Sequence, residues 1–146
     1  MLLVVLAAAL QAIAMIVDEG HFHAARPLPR WERIGHPLDT LTVAACYGWL
    51  CLTRQGAPHA LAIYAALAAL SCLFVTKDEA VHARLCAGAE HWLHAVLFVL
   101  HPIVLAGFAW AWWSGHDALV RAQLGLTIAF GSYQLVRWNF LGKATS

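Results

Sequence analysis

Charge is scarce in this chain: Asp, Glu, Lys and Arg make up 12% of its 146 residues, against 62% hydrophobic residues. Mean hydropathy is +0.67. Average proteins carry about 25% charged residues, so an ordinary water-soluble surface is excluded and the composition points to a bilayer. The net charge is only +1 and no basic domain stands apart, which argues against nucleic-acid binding. Also missing are the P-loop, GxGxxG, GxSxG, HExxH and CxxCH patterns. Nucleotide, dinucleotide, serine-hydrolase, gluzincin and c-type haem chemistry thereby lose their usual sequence support. The four cysteines form no CxxC pair. Cys46, Cys51 and Cys72 read as small apolar filler. Cys86 stays open, because it lies beside the polar residues described below.

What the chain does have is long uncharged runs, at residues 1–17, 40–53, 55–76, 92–115 and 122–136. A spanning helix needs roughly 20 apolar residues, so the second and fifth runs must borrow flanking positions such as Asp39, Arg121 and Arg137. The expectation is five membrane helices, over residues 2–19, 37–54, 58–78, 90–114 and 118–140, in one domain. A four-span version would lay one short segment along the interface. The opening "MLLVVLAAALQAIAM" lacks the basic n-region of a signal peptide and reads as the first helix.

If the five helices alternate in direction, one side collects Arg26, Arg30, Arg33, Lys77, Arg84, Arg137 and Lys143, and the other only Arg54 and Arg121. The positive-inside rule then predicts an outer N-terminus and a cytoplasmic C-terminus in a bacterial-type inner or plasma membrane. Tryptophans near both sets of helix ends fit interfacial belts, with Trp49, Trp110, Trp112 and Trp113 outside and Trp31, Trp92 and Trp138 inside.

Acids and histidines are distributed unevenly. Asp18, Glu19, Glu32, Asp39, Asp78, Glu79 and Glu90 fall on the cytoplasmic side, with His21, His23, His36, His82, His91 and His94; only Asp117, His59 and His116 fall outside. They also recur in order. The first helix closes in "VDEGHFHAAR" and the third in "KDEAVHAR", while the second opens with "HPLD" and the fourth contains "EHWLH". Two similar hairpins, helices one–two and three–four, would thus form a four-helix core with a fifth helix beside it.

Residues three or four apart share a helix face. Glu79 and His82 form ExxH, Asp78 and His82 stand four apart, and Asp18 and His21 give DxxH. Dinuclear carboxylate sites in helical bundles use Glu from two helices and ExxH pairs from two others. The expected ligands are Glu19, His23, Asp39, Asp78, Glu79, His82, Glu90, His91 and His94, with Asp18 and His36 as substitutes. Two divalent cations are expected, iron ahead of zinc or manganese. Around them, His21, His101, Tyr133, Gln134, Arg137 and Asn139 are candidates for supporting hydrogen bonds. The competing explanation is ordinary interfacial polarity, to which Glu32, His21 and His36 are the easiest to assign. His101 lies two turns deeper than His94 and next to Pro102, where it serves either a loosened backbone carbonyl or the site.

Acids and histidines at the inner ends of membrane helices resemble the chemistry of integral-membrane non-haem di-iron hydroxylases and desaturases. The HxxxH and HxxHH boxes of those enzymes are absent, so the resemblance is one of site chemistry and transfers no residue. It implies an oxidoreductase that activates dioxygen against a lipid-soluble substrate, fed by a cytoplasmic electron donor. A zinc-dependent membrane lipid hydrolase is the second expectation. A metal transporter or sensor is the third, disfavoured because only His101 lies deep in the membrane.

Overall fold

The structure, a computed structural model, describes residues 1–26 and 28–141, apart from the side chains of Asp78, Ala80, Val81 and Leu85. The expected ligand Asp78 and the cation Lys143 lie outside what is described. Five continuous helices account for the fold, with no strand among the described residues. Helix α1 runs Leu2–Val17 and continues through a π-helical turn, Asp18–Phe22, into His23–Ala25. Helix α2 is Arg30–Leu52. Helix α3 is Ala60–Phe74, continued by a 3-10 turn, Val75–Asp78, and by Glu79–Leu85. Helix α4 is Gly88–Trp113, and α5 is Asp117–Val136 followed by a π-helical turn, Arg137–Leu141.

Three of these, over Leu2–Ala25, Ala60–Arg84 and Gly88–Trp113, are long and apolar enough to cross a membrane. Along α1, Leu2, Leu3, Leu6, Leu10 and Ile13 turn outward and are exposed. Such a stripe suits lipid and would be unusual against water.

Pairing of the helices follows their small residues, which let backbones approach closely. Helix α1 lies chiefly along α4, while α2 packs along α5 and α3. At Gly107 of α4, a Cβ would stand 3.2 Å from both methyls of Val4; at Gly131 of α5, it would stand 2.9 Å from the Thr40 methyl of α2. The α1–α2 hairpin expected from the sequence is therefore not the closest pairing, and α5 is a principal neighbour of α2. Gly131→Val should force α2 and α5 apart. Overpacking of this kind costs about 1–3 kcal/mol, readable as easier unfolding by SDS in mixed micelles; unchanged stability would mean the two helices do not touch there.

Packing differs between the two ends of the bundle. One end is a dry core in which Tyr47, Leu50, Tyr64, Val104, Phe108 and Trp112 are buried. The Tyr64 hydroxyl donates to the Leu105 carbonyl at 2.7 Å. Two turns close this end, each with a glycine at φ 78°, Gly56 and Gly115, a conformation that side chains disfavour. Gln55 ties them by donating to the Trp113 carbonyl at 2.6 Å. The opposite end gathers nearly all the buried charge.

Candidate metal centre

The π turn of α1 brings Asp18 and His23, five apart in the sequence, onto one face. The His23 amide donates to the Asp18 carbonyl, an i→i+5 bond that widens the turn, a feature frequent at functional sites. Asp18, Glu19 and His23 all become buried on the inner face. From α2 come Glu32 and His36, one turn apart; from α3, His82; from the α3–α4 junction, Cys86; from α4, Glu90 and His94. Pro37 lacks the amide that would bond to the Arg33 carbonyl. Asn139 of α5 supplies the replacement, donating to that carbonyl at 3.0 Å, which helps to anchor the start of α2 beside the cluster.

His23 is the hub. It is fully buried, and its Nε2 lies 3.5 Å from Asp18 Oδ2 and 3.9 Å from Glu90 Oε1, with Nδ1 3.8 Å from Glu19 Oε2. Among the described residues neither ring nitrogen has a hydrogen-bond partner, and the same is true of His94 Nδ1. His94 Nε2 stands 3.2 Å from Asp18 Oδ1. Two pairs of imidazoles are in ring contact, His23 with His36 at 4.6 Å and His82 with His94 at 4.4 Å between centroids. Arg26 bridges two carboxylates, at 2.9 Å from Glu32 and 3.1 Å from Glu90. Burial opposes its charge, yet these two carboxylates hold its pKa above the ordinary arginine value.

Glu19 is held differently. Gln134 donates to Oε1 and the Trp138 indole to Oε2, each at 2.5 Å. Thr40 in turn donates to Gln134 at 2.6 Å. The π turn of α5 carries Trp138, so irregular turns from two helices meet at this one carboxylate.

Three groups of side chains place ligand atoms within 4.8 Å of one another: His23, Glu32 and His36; His82, Cys86 and His94; and Asp18, His23, Glu90 and His94. The first two share no residue, and the third takes one histidine from each. Burial, followed by the Glu90 carboxylate, pushes the Cys86 thiol up to about 12, so it keeps its proton until something displaces it.

Among the described residues, four buried carboxyl groups, Asp18, Glu19, Glu32 and Glu90, thus gather around one guanidinium, so that acids outnumber it by three. Beside these acids the imidazoles meet in tilted pairs, His23 against His36 and His82 against His94. Bound cations would restore the balance, and the nitrogens of His23 without hydrogen bonds fit that role.

Of the other expected residues, Asp39 forms an ion pair with Lys77 at 2.7 Å. Glu79 is half exposed and lies 4.0 Å from His91; neither of these two is in the three ligand groups. His21 and Tyr133 are exposed, and Arg137 stacks on the Trp138 ring at 4.8 Å. His101 is buried away from the cluster, 3.0 Å from the Ser71 hydroxyl and 3.3 Å from the Gln11 amide. Of the other residues gathered here, the sequence alone assigns Glu32 to interfacial polarity and Arg26 to topology, and leaves Cys86 open. Glu32 and His36 stand four apart on one helix face, a spacing that would have drawn attention to both.

A cavity of about 520 Å³ runs from this cluster toward the dry core, with α1 and α5 supplying much of its wall. Asp18, Glu19, His36 and His94 line one end, and Val5, Tyr47 and Phe108 the other.

No family model, curated protein or solved structure matches the chain.

Proposed function

We propose that this chain is a membrane-embedded metalloenzyme, an oxidoreductase that uses two iron ions to activate dioxygen against a lipid-soluble substrate. The observation that carries it is the buried excess of acid beside paired imidazoles. Mixed carboxylate and imidazole donors suit iron, and two disjoint groups joined by a third suit two ions rather than one. His23, Glu32 and His36 would hold one ion, and His82, His94 and Cys86 the other, with Asp18 and Glu90 between them. Iron, when bound, would supply the chemistry of dioxygen reduction, in which one oxygen atom would pass to the substrate and the other to water, with two protons and two electrons from a cytoplasmic donor.

The chain's own residues have separable tasks. Gln134 and Trp138 fix both oxygens of Glu19 and keep that carboxylate oriented. Arg26 neutralises part of Glu32 and Glu90 and limits how much positive charge the cluster will accept. The apolar cavity holds the substrate and keeps bulk water from the reacting end. The excess of Lys and Arg at this end supports an orientation with the cluster on the cytoplasmic side and the N-terminus outside.

A second reading has one observation in its favour. The thiol of Cys86 between His82 and His94 resembles the Cys and His donor sets of catalytic zinc, which would make the protein a zinc-dependent lipid hydrolase. Metal analysis of protein purified without chelator separates the two. Two irons per chain, with the optical spectrum of coupled ferric ions, is the expected result. One zinc per chain transfers support to the hydrolase, and metal-free protein that refuses reconstitution removes both.

A further inference from the structure

The cavity and the cluster together define more than a metal site. Nine residues of α1, from Val5 to Glu19, line it, and the fourteen steps between those two cover about 21 Å at 1.5 Å per residue. Its volume of about 520 Å³ falls in the range of roughly 300–1,000 Å³ usual for small-molecule sites. Polarity changes along that length. The cluster end presents carboxylates and imidazoles. The middle is walled by small or apolar side chains such as Ala8, Ala12, Leu126 and Phe130, with the Gln11 amide already turned to His101. The far end is closed by Tyr47 and Phe108, which are buried and packed edge to face at 5.0 Å. Ile16 and Leu126 on the wall are also more than 60% exposed, so the cavity opens sideways where lipid would lie.

We infer that the occupant is a single-chain lipid with a small polar head, bound with its head at the carboxylate–imidazole cluster and its chain running to the Tyr47–Phe108 floor. One channel with one closed end takes one chain, and a diacyl lipid would leave its second chain outside. The floor of Val5, Phe108 and the Tyr47 ring receives a methyl terminus without loss, whereas a polar head driven there would find only the Tyr47 hydroxyl in place of the carboxylates and imidazoles at the other end. Resting on the proposed metal-dependent reaction, this placement puts the chemistry on the carbons nearest the head and leaves the chain terminus untouched. The lateral opening lets the lipid slide in from the bilayer with its head already at interfacial depth.

Photolabelling tests the placement without requiring turnover. Two palmityl-length alkanols, one carrying a diazirine next to the hydroxyl and one at the terminal methyl, are irradiated with the full-length protein in nanodiscs. Labelled peptides are then mapped by mass spectrometry. The head-proximal probe should mark the His36–Thr40 and Gln134 regions, and the terminal probe the Val5, Tyr47 and Phe108 regions. Excess unlabelled alkanol should abolish both, and so should Ala12→Trp, which fills the middle of the channel. The competition arm uses the unaltered protein, so it stands even if the variant does not fold. A reversed map overturns the inference, as does labelling confined to outward faces such as Leu3 and Leu10 and indifferent to competitor. Ordered labelling of a protein that binds no metal would sink the proposed reaction alone, while a metal-loaded protein without ordered labelling would sink the lipid placement alone.

Discussion

His94→Ala should strip more metal from the protein than any other single histidine substitution except at His23. His94 belongs to two of the three ligand groups, one with Asp18, His23 and Glu90 and one with His82 and Cys86, so its loss weakens both positions together. Removing residues that merely support a ligand lowers metal affinity about 10–100-fold, and removing a shared ligand should reach at least the upper end of that range. The protein should still insert and fold, because the dry core is built from other residues at the far end of the bundle. The measurement is metal content by mass spectrometry after dialysis against a buffered metal solution, beside the unaltered protein and two further variants. His82→Ala should lose part of the metal. His59→Ala, exposed at the opposite end before Ala60, should lose none. Equal metal in His94→Ala and the unaltered protein would rule this histidine out as a ligand.

Arg26→Ala should be the most destabilising substitution outside the dry core, and its effect should depend on metal. Glu32 is fully buried and Glu90 nearly so, and Arg26 is the cation that both contact. Deleting one partner of a buried ion pair costs roughly 3–5 kcal/mol, because it strands the remaining charge. Here two carboxylates are stranded at once. Protein stripped with chelator should show this loss in SDS unfolding. Saturating metal should recover much of it, since a ligand that binds only the folded state stabilises in proportion to the logarithm of its concentration over Kd. A loss below about 1 kcal/mol in stripped protein would place Arg26 at the water-facing side of the cluster, with little to hold together.

Much of this arrangement can be read from the sequence, and the remainder fails for identifiable reasons. The uncharged runs locate five helices because continuous hydrophobicity over such lengths has few other outcomes. The gathering of His23, His82, Glu90 and His94 follows from their shared end of the bundle. Asp39 and Glu79 had the right residue type and helix, but each turns toward a different partner, Lys77 and His91, and helix periodicity alone does not choose between such faces. Asp18 and His23 stand five apart where Asp78 and His82 stand four apart. A π turn accommodates the longer spacing, and standard helical periodicity contains no such turn. Arg26 and Cys86 sit at junctions between helices, where no periodicity exists to place them. Gln134 and Asn139 were expected as supporting hydrogen-bonders; the first holds Glu19, while the second is taken by the carbonyl that Pro37 leaves open.

The aromatic stopper formed by Tyr47, Phe108 and Trp112 gives the molecule an electrical asymmetry. With the bundle spanning a bilayer, most of an applied voltage would fall across that oily plug, where few mobile ions exist to carry current. Ions exchanging at the acidic mouth would cross only a sliver of the field. Loading should then track the free metal concentration at the cluster end and remain almost blind to the potential across the membrane.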